Sequence, residues 1–97
     1  MSIALFVTLD FNEGTIKGYL QLAHQHKARV LANEPGCQQF DILIPDNIEN
    51  RVHLFEVYDD EAALEIHMTS DYMQTYRETS APMLANRHIN RCRVSNA

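Results

Sequence analysis

Apolar side chains alternate along several short segments of the chain, and they occupy both sets of alternating positions. The segment over residues 50–72 shows this most clearly, because it predicts a strand that runs almost directly into a helix. One face of that strand carries Val52, Leu54 and Tyr58, and the other carries His53, Phe55 and Val57. A small antiparallel sheet with helices on one side normally has a polar second face. The apolar second face therefore predicts that a further surface covers it, and a second copy of the chain is the simplest candidate.

The same pattern places the remaining elements. Strands are predicted over residues 3–9, 37–44, 52–58 and 88–94. The first helix is predicted to have Asn12 as its N-cap and to end before Pro35. Asp60 and Ser70 are predicted to cap a short helix and a longer one, and Pro82 to kink or end the longer one. The apolar face of the first helix is predicted to comprise Ile16, Tyr19, Leu20, Ala23, Lys27, Val30 and Leu31.

The element order is β-α-β-β-α-β, which is the split pattern of ferredoxin-like folds. It predicts an α+β fold with a four-stranded antiparallel sheet and helices on one face, in a single domain over residues 1–97. The helix-free face would then meet the same face of a partner around a two-fold axis, which gives a homodimer. A chain of 97 residues is marginally stable alone and gains from such association.

Composition and charge exclude several classes of protein. The formal net charge is −5, from 8 Lys and Arg against 13 Asp and Glu, which argues against nucleic-acid binding. No apolar run approaches the roughly 18 residues of a membrane span, and the first residues do not resemble a signal peptide. Two distant cysteines, Cys37 and Cys92, indicate a soluble cytoplasmic protein with reduced thiols that act as small buried fillers. A disulfide between them is the less favoured alternative.

Three segments carry a resemblance to a known family. They are EPGCQQFDIL at residues 34–43, LFEVYDDEAALEIHMTSDY at residues 54–72 and APML at residues 81–84. In this order and spacing they resemble the antibiotic biosynthesis monooxygenase domain. The resemblance implies a dimeric α+β barrel with a pocket between the helices and the sheet of each subunit. It implies cofactor-independent oxygenases of quinols and polyketide aromatics, and it extends to an isomerase of the phosphorylated autoinducer-2 signal.

The chain shows no Gly-rich phosphate loop, no dinucleotide fingerprint and no convincing cluster of metal-binding histidines. Oxygen reacts slowly with closed-shell molecules, so a redox enzyme without a cofactor must use an electron-rich substrate anion as its electron source. Such an enzyme needs a base, an apolar cavity and a donor to the oxyanion. The first hypothesis is therefore a cofactor-independent monooxygenase. The alternatives are an isomerase of a small phosphorylated ketone and a non-catalytic dimer that binds an apolar ligand.

The resemblance indicates His67 as the catalytic base and Tyr72 as the residue that orients an oxyanion or a substrate hydroxyl. His67 could instead cap the carbonyls at the end of its helix, and Tyr72 could be a core tyrosine. Glu56 could orient the histidine, or it could pair with an arginine across the dimer.

Four further residues are predicted to bind substrate, each with an alternative. Phe55 and Phe6 line the pocket or else pack in the core or at the dimer contact. His53 faces the pocket or the partner subunit, and His26 reaches a ligand or lies on a solvated helix face beside Lys27. Near the end of the chain, Arg87, Arg91 and Arg93 bind an anionic substrate or form salt bridges.

Overall fold

The fold is that of a computed structural model, and the structure describes residues 1–96. Four strands and three helices follow one another with a short 3₁₀ turn before the last strand. The strands are β1 (Ile3–Phe11), β2 (Cys37–Leu43), β3 (Arg51–Tyr58) and β4 (Leu84–Arg93). The helices are α1 (Ile16–Asn33), α2 (Glu61–Met68) and α3 (Asp71–Ser80), and the turn covers Ala81–Met83.

The strands form one antiparallel sheet in the order β2-β3-β1-β4. This is the ferredoxin-like α+β fold, so the predicted fold class is confirmed. In the register between β1 and β3, Leu5 pairs with Glu56 and Phe6 pairs with Phe55. Each pair of neighbours across the strands therefore lies on a single face of the sheet.

One face of the sheet forms the core with the helices. The β1 side chains of this face are Ile3, Leu5, Val7 and Leu9, all at most 8% exposed. They belong to one buried cluster with Val52, Leu54, Phe40, Tyr19, Ala23, Val30 and Leu64. Burial of this apolar surface supplies the main stabilisation of the fold, at about 25 cal/mol per Å² removed from water.

The second face of the sheet has the apolar character that the alternation predicts. Ala4 and Val57 are buried there, whereas Phe6, Phe55 and His53 are half-buried. The Phe6 and His53 rings lie 5.1 Å apart, and His53 Nδ1 lies 3.1 Å from the Thr8 hydroxyl. The predicted distribution of side chains between the two faces is therefore confirmed, while the partner that would cover this face stays a prediction.

The first helix differs from its prediction in its start and in its buried face. Helix α1 begins at Ile16 with Thr15 as N-cap, because Gly14 at φ 84° turns the chain before it. Asn12 is not the cap, since its side-chain amide donates instead to the Pro82 carbonyl at 3.3 Å. The residues buried on α1 are Tyr19, Ala23, His26 and Val30, whereas Lys27 is half-buried and Leu31 is 47% exposed.

The caps of the later helices are confirmed. The Asp60 carboxylate accepts from the Ala63 backbone N–H at 2.8 Å, and the Ser70 hydroxyl accepts from that of Met73 at 3.3 Å. Regular helix ends before Pro82, as predicted. Strand β4 begins four residues earlier than its prediction, because Leu84 already pairs with Phe11.

Both cysteines are free, so the alternative of a disulfide is wrong. Cys37 is buried, but Cys92 is exposed on β4 and is not a buried filler. Strand β2 ends at Leu43, one residue before its prediction, and Ile44 is 60% exposed. Within residues 1–96, no helix is long and apolar enough to cross a membrane.

Candidate active site

A cavity of about 540 Å³ lies between the helices and the core face of the sheet. Its sheet wall comes from all four strands, and its other walls come from α1, α2 and α3. Most of its surface is apolar, with side chains such as Leu5, Val7, Leu9, Leu54, Leu84 and Ile89. An apolar cavity with a few convergent polar groups is the usual form of a small-molecule site.

The main polar group of the cavity is His67, in the last turn of α2. Its side chain is 2% exposed, and its Nδ1 lies 3.2 Å from each carboxylate oxygen of Glu34. Glu34 is the residue directly after α1, and it is 3% exposed. A buried carboxylate needs such partners, because an unpaired charge is costly away from water.

The turn after Glu34 allows α2 to approach closely enough for this contact. A Cβ atom on Gly36 would lie 2.6 Å from the Ala63 side chain of α2, so only glycine fits there without movement. The backbone N–H of Asp59 donates to the Gly36 carbonyl at 2.9 Å and joins the start of α2 to the same turn. Glycine at this position therefore helps to bring His67 to Glu34.

A second buried carboxylate faces the other ring nitrogen. His67 Nε2 lies 3.6 Å from Glu56 Oε1, and the Tyr58 hydroxyl donates to the same oxygen at 2.6 Å. Burial raises the pKa of Glu56 to about 7, the Tyr58 hydrogen bond opposes this, and the charge of Glu34 adds to it. Near neutral pH, Glu56 therefore carries a proton in a large part of the molecules.

The surroundings of His67 favour a neutral ring with its proton on Nδ1. Burial lowers the pKa of His67, while the charge of Glu34 and its hydrogen bond raise it. A proton on Nδ1 satisfies Glu34, which we assign from the geometry, and leaves the Nε2 lone pair available. Tyr72 donates a short hydrogen bond to Glu34 as well, which fixes the carboxylate from a second side. This arrangement can act as a general base.

His26 is the second imidazole of the cavity. It is 2% exposed and stacks on Tyr76, with the ring centroids 4.1 Å apart and the planes at 16°. Burial lowers the pKa of His26 to about 4, and the charge of protonated His67 contributes in the same direction. Its Nδ1 has no hydrogen-bond partner among residues 1–96. His26 is therefore a neutral ring at physiological pH.

Arginine side chains line the exposed part of the cavity. Arg77 donates to the Met68 carbonyl at 3.0 Å, and Arg91 forms a short ion pair with Glu61. Arg93 also reaches Glu61, at 3.0 Å. Arg87 lines the cavity, and its guanidinium makes no hydrogen bond or ion pair within the described part of the chain. The salt-bridge alternative therefore holds for Arg91 and Arg93 and not for Arg87.

The structure brings together three of the residues that the sequence indicates, since His67, Glu56 and His26 all line the cavity. The helix-capping interpretation of His67 is wrong, because its ring contacts Glu34 and Glu56. The solvated-face interpretation of His26 is also wrong, because the ring is buried. The pairing of Glu56 with an arginine finds no support within residues 1–96, where its partners are Tyr58 and His67.

The other predicted site residues lie elsewhere. Phe6, Phe55 and His53 do not line the cavity, because the alternation of β1 and β3 places them on the second face of the sheet. Their assignment to a pocket between helices and sheet is corrected accordingly. Tyr72 does not line the cavity either, and its hydroxyl donates to Glu34.

Four further residues of the site, Glu34, Tyr58, Tyr19 and Tyr76, were not among the predicted site residues. Glu34 lies 33 residues before His67, so no local spacing connects them. The sequence offers one indication that Glu34 is buried. The residue lies between an apolar helix and a Pro-Gly turn, where a side chain has little room to reach solvent. Tyr19 and Tyr76 lie at helical positions where a tyrosine is as typical of core packing as of a functional site. Within residues 1–96, no three His, Cys, Asp or Glu side chains are placed to hold a metal ion.

Comparison with known proteins agrees with this fold. The isomerase of (4S)-4-hydroxy-5-phosphonooxypentane-2,3-dione from Yersinia enterocolitica is 29% identical over 83 residues, 84% of each chain. The isomerase of the same name from Salmonella paratyphi B is 24% identical over 78 residues, 80% of each chain. A candidate antibiotic biosynthesis monooxygenase from Caulobacter crescentus has a TM-score of 0.94 at 23% identity, with 98% of this chain and 91% of that chain covered. Residues 2–79 match the family described as antibiotic biosynthesis monooxygenase, and the chain belongs to that family.

Proposed function

We propose that the protein is a cofactor-independent monooxygenase of an electron-rich aromatic or quinol-like substrate, with His67 as its base. The observation that carries the proposal is a neutral imidazole, held between two buried carboxylates, beside an apolar cavity. Burial keeps the ring unprotonated at neutral pH, and Glu34 fixes the tautomer that leaves Nε2 free.

The reaction balances without an external reductant for an anthrone-type substrate, in which a methylene group lies next to aromatic rings. His67 takes one proton from the methylene, and the resulting anion gives an electron to O₂. The substrate radical and superoxide combine to a peroxide with a new C–O bond. The O–O bond then breaks while the second methylene proton leaves, which yields a ketone and one water. The methylene carbon supplies all four electrons that O₂ accepts.

The charges of the site suit such a step. Before proton transfer the negative charge lies on Glu34, beside a neutral His67. After proton transfer the imidazolium pairs with Glu34, and the negative charge lies on the substrate. The step creates an imidazolium and a substrate anion inside the cavity, and the Glu34 carboxylate lowers the cost of the imidazolium by pairing with it.

A second candidate function is isomerisation of a small phosphorylated hydroxyketone. Two observations favour it: three arginines line the cavity, and the curated relatives quoted above bear the name of such an isomerase. Arg87 in particular has no carboxylate partner within residues 1–96, and a guanidinium is well suited to a phosphate. The same base would take a proton from the carbon next to a carbonyl and return one to the neighbouring carbon, with no oxygen consumed.

One assay separates the two candidates. Purified protein is mixed with a panel of quinols and anthrones while oxygen uptake is recorded, and in parallel with 4-hydroxy-5-phosphonooxypentane-2,3-dione while its conversion is followed. The monooxygenase proposal predicts enzyme-dependent uptake of one O₂ per anthrone oxidised. Conversion of the phosphorylated diketone without oxygen uptake would establish the isomerase instead. Inactivity on both panels would leave the non-catalytic binding dimer.

The His67→Ala variant tests the base in either reaction. Removal of a general base is expected to lower kcat by at least about 10²-fold. His24→Ala is the matched control, because His24 is exposed on α1 and lies outside the cavity. Full activity in His67→Ala, with an unchanged circular dichroism spectrum, would remove His67 from the mechanism.

A further inference from the structure

We propose that the Tyr76 hydroxyl, oriented by Tyr19, donates a hydrogen bond to the oxyanion that forms when His67 takes the substrate proton. The inference rests on the proposed function and adds a catalytic residue to it. It also names the group of the substrate that Tyr76 would recognise, which is an enolate or phenolate oxygen.

The hydroxyl groups of Tyr19 and Tyr76 share one hydrogen bond. The hydroxyl oxygens of Tyr19 and Tyr76 lie 2.6 Å apart, and either could be the donor in this contact. Two hydroxyls carry two protons, so one proton of the pair has no acceptor in this contact. Within residues 1–96, neither hydroxyl has another hydrogen-bond partner.

Burial decides which hydroxyl keeps the unpaired proton. Tyr19 is 0% exposed and does not line the cavity, so an unpaired proton there would cost about 1–3 kcal/mol. Tyr76 is half-buried and lines the cavity. Tyr19 therefore donates to Tyr76, and Tyr76 holds a proton for which the cavity must supply the acceptor. A hydroxyl that already accepts one hydrogen bond is polarised and donates more strongly.

The electrostatic surroundings agree with this direction of donation. Burial raises the pKa of Tyr76 to about 12, the hydrogen bond from Tyr19 lowers it, the charge of Glu56 raises it, and the charge of Arg87 lowers it. Arg87 thus acts on the same hydroxyl and has no ion-pair partner within the described residues. A hydroxyl donor stabilises an oxygen anion in a cavity of low polarity, and the charge of Arg87 acts in the same direction.

Tyr76 also lies within reach of a substrate held by the base. His26 stacks on Tyr76 at 4.1 Å and lies 5.8 Å from His67, measured between ring centroids. Tyr76 and His67 line the same cavity, so a small aromatic or dicarbonyl molecule can contact both side chains. Tyr72, which the sequence indicated for this role, instead donates to Glu34 and does not line the cavity.

A phenol that does not turn over tests the donor without any assay of activity. The absorbance of 4-nitrophenol reports its ionisation, and the probe is titrated with pH in the presence of saturating protein. Wild-type protein is expected to lower the pKa of the bound phenol, because Tyr76 stabilises the phenolate. Tyr76→Phe keeps the ring and its stacking on His26, and is expected to raise the pKa of the bound phenol by about one unit, a tenfold change.

Two further variants give the comparison. Tyr19→Phe leaves Tyr76 in place but removes the hydroxyl that donates to it. This variant is expected to raise the pKa of the bound phenol, by less than Tyr76→Phe does. Thr79→Ala is the control, since Thr79 is exposed on the same helix and bonds only to the Thr75 carbonyl in the described chain. With a substrate from the panels above, Tyr76→Phe is expected to lower kcat by about 10²-fold with a small change in KM.

The outcomes separate this inference from the proposed function. If neither panel shows turnover but the pKa of bound 4-nitrophenol changes as described, Tyr76 is supported as a donor and the proposed reaction is contradicted. If His67→Ala abolishes turnover while Tyr76→Phe retains full kcat and leaves the bound phenol unchanged, the donor assignment is overturned. Wild-type protein that leaves 4-nitrophenol at its free-solution ionisation, because it does not bind or does not stabilise the phenolate, also overturns it.

Discussion

At His67 a single imidazole contacts two buried carboxylates that have opposite effects on its chemistry. Glu34 accepts the Nδ1 proton and raises the pKa of the ring against the effect of burial. Glu56 lies on the Nε2 side and holds its own proton up to a pH of about 7. For His67 to act as a base, Glu34 must fix its tautomer and Glu56 must remain uncharged. A second buried anion beside the ring would hold the ring protonated.

Replacing Glu34 with Gln is expected to lower the pKa of His67. The change removes the negative charge beside Nδ1 and keeps a side chain of the same size, so burial and the charge of Arg77, which both lower the pKa of the ring, act unopposed. The measurement is an NMR titration of the His67 ring, and the acidic limb of any pH–rate profile should move to lower pH with it. Glu78→Gln is the control, because Glu78 is exposed on α3. An unchanged or raised His67 pKa would contradict the assignment of Glu34.

Replacing Glu56 with Gln is expected to stabilise the protein at high pH more than at low pH. The carboxyl keeps its proton in the fold up to a pKa of about 7 but loses it near 4.5 in the unfolded chain. Raising the pH through this window therefore removes stability from the wild type, and Gln has no proton to lose. Denaturant unfolding at pH 5 and pH 8 should show a gain for the variant that is larger at pH 8, by on the order of 2 kcal/mol. An equal change in the free energy of unfolding at pH 5 and pH 8 would exclude a raised pKa for Glu56.

At the residue scale, the sequence indicated the histidines better than their partners. His67 stood in a recognisable block of residues, and Glu56 shared a strand face with Leu54, so both could be found from local pattern. Glu34 and Tyr58 could not, because their roles depend on which elements meet in space. Phe6, Phe55 and His53 were placed on the correct face of their strands, but their assignment to the pocket was wrong. Apolar alternation separates the faces of a strand, but here both faces were apolar, and the pattern alone did not identify the face with the cavity.

At the scale of elements, the close contact between the Gly36 turn and α2 positions the site. The turn follows Glu34 directly, and α2 carries His67 two turns after its N-terminal cap at Asp60. Since the Gly36 backbone lies against Ala63, the distance between Glu34 and His67 depends on a residue without a side chain.

Gly36→Ala is expected to destabilise the fold by about 1–3 kcal/mol, because the new methyl group would meet the Ala63 side chain at 2.6 Å. Gly18→Ala is the matched control within α1, where the new Cβ would find only Met83 Cε at 3.8 Å. Alanine inside a helix is favoured over glycine, so this variant should be more stable by about 0.5–1 kcal/mol. Denaturant unfolding measures both, and a Gly36→Ala variant as stable as the wild type would show that α2 can move away without cost.

The elements themselves were largely predictable, and the differences have local causes. Strand alternation and two of the three helix caps follow from nearest-neighbour chemistry, which the sequence contains in full. The buried face of α1 was misplaced by one position, since His26 and Lys27 are adjacent and a histidine gives no hydropathy signal of burial. Strand β4 is exposed along nearly its whole length, so its first residues lacked the apolar pattern that marks a strand.

At the scale of the whole molecule, the second face of the sheet is where a partner is expected. It carries Phe6, Phe55 and His53 half-buried over Ala4 and Val57, with apolar groups toward the outside of a single chain. A two-fold arrangement of two such faces would bury the aromatic side chains of both copies at once.

The dimer is tested by sedimentation at low micromolar concentration. Wild-type protein is expected to sediment as a dimer, and Phe55→Arg as a monomer, because a charge would be placed in the apolar contact. Ile66→Arg is the control, since Ile66 is 61% exposed on α2, on the helical side of the sheet. A wild-type protein that remains a monomer would contradict the covering of this face by a second copy.

The ion pairs between Glu61 and the two arginines of β4 have a consequence for how molecules enter the cavity. Glu61 belongs to α2, and Arg91 and Arg93 belong to the edge strand, so the pairs join the two elements across the exposed end of the enclosed volume. All three side chains are well exposed, and dissolved salt weakens ion pairs between exposed side chains. Access to the cavity should therefore depend on ionic strength. The association and dissociation rates of a small molecule should both be higher at high salt concentration than in dilute buffer.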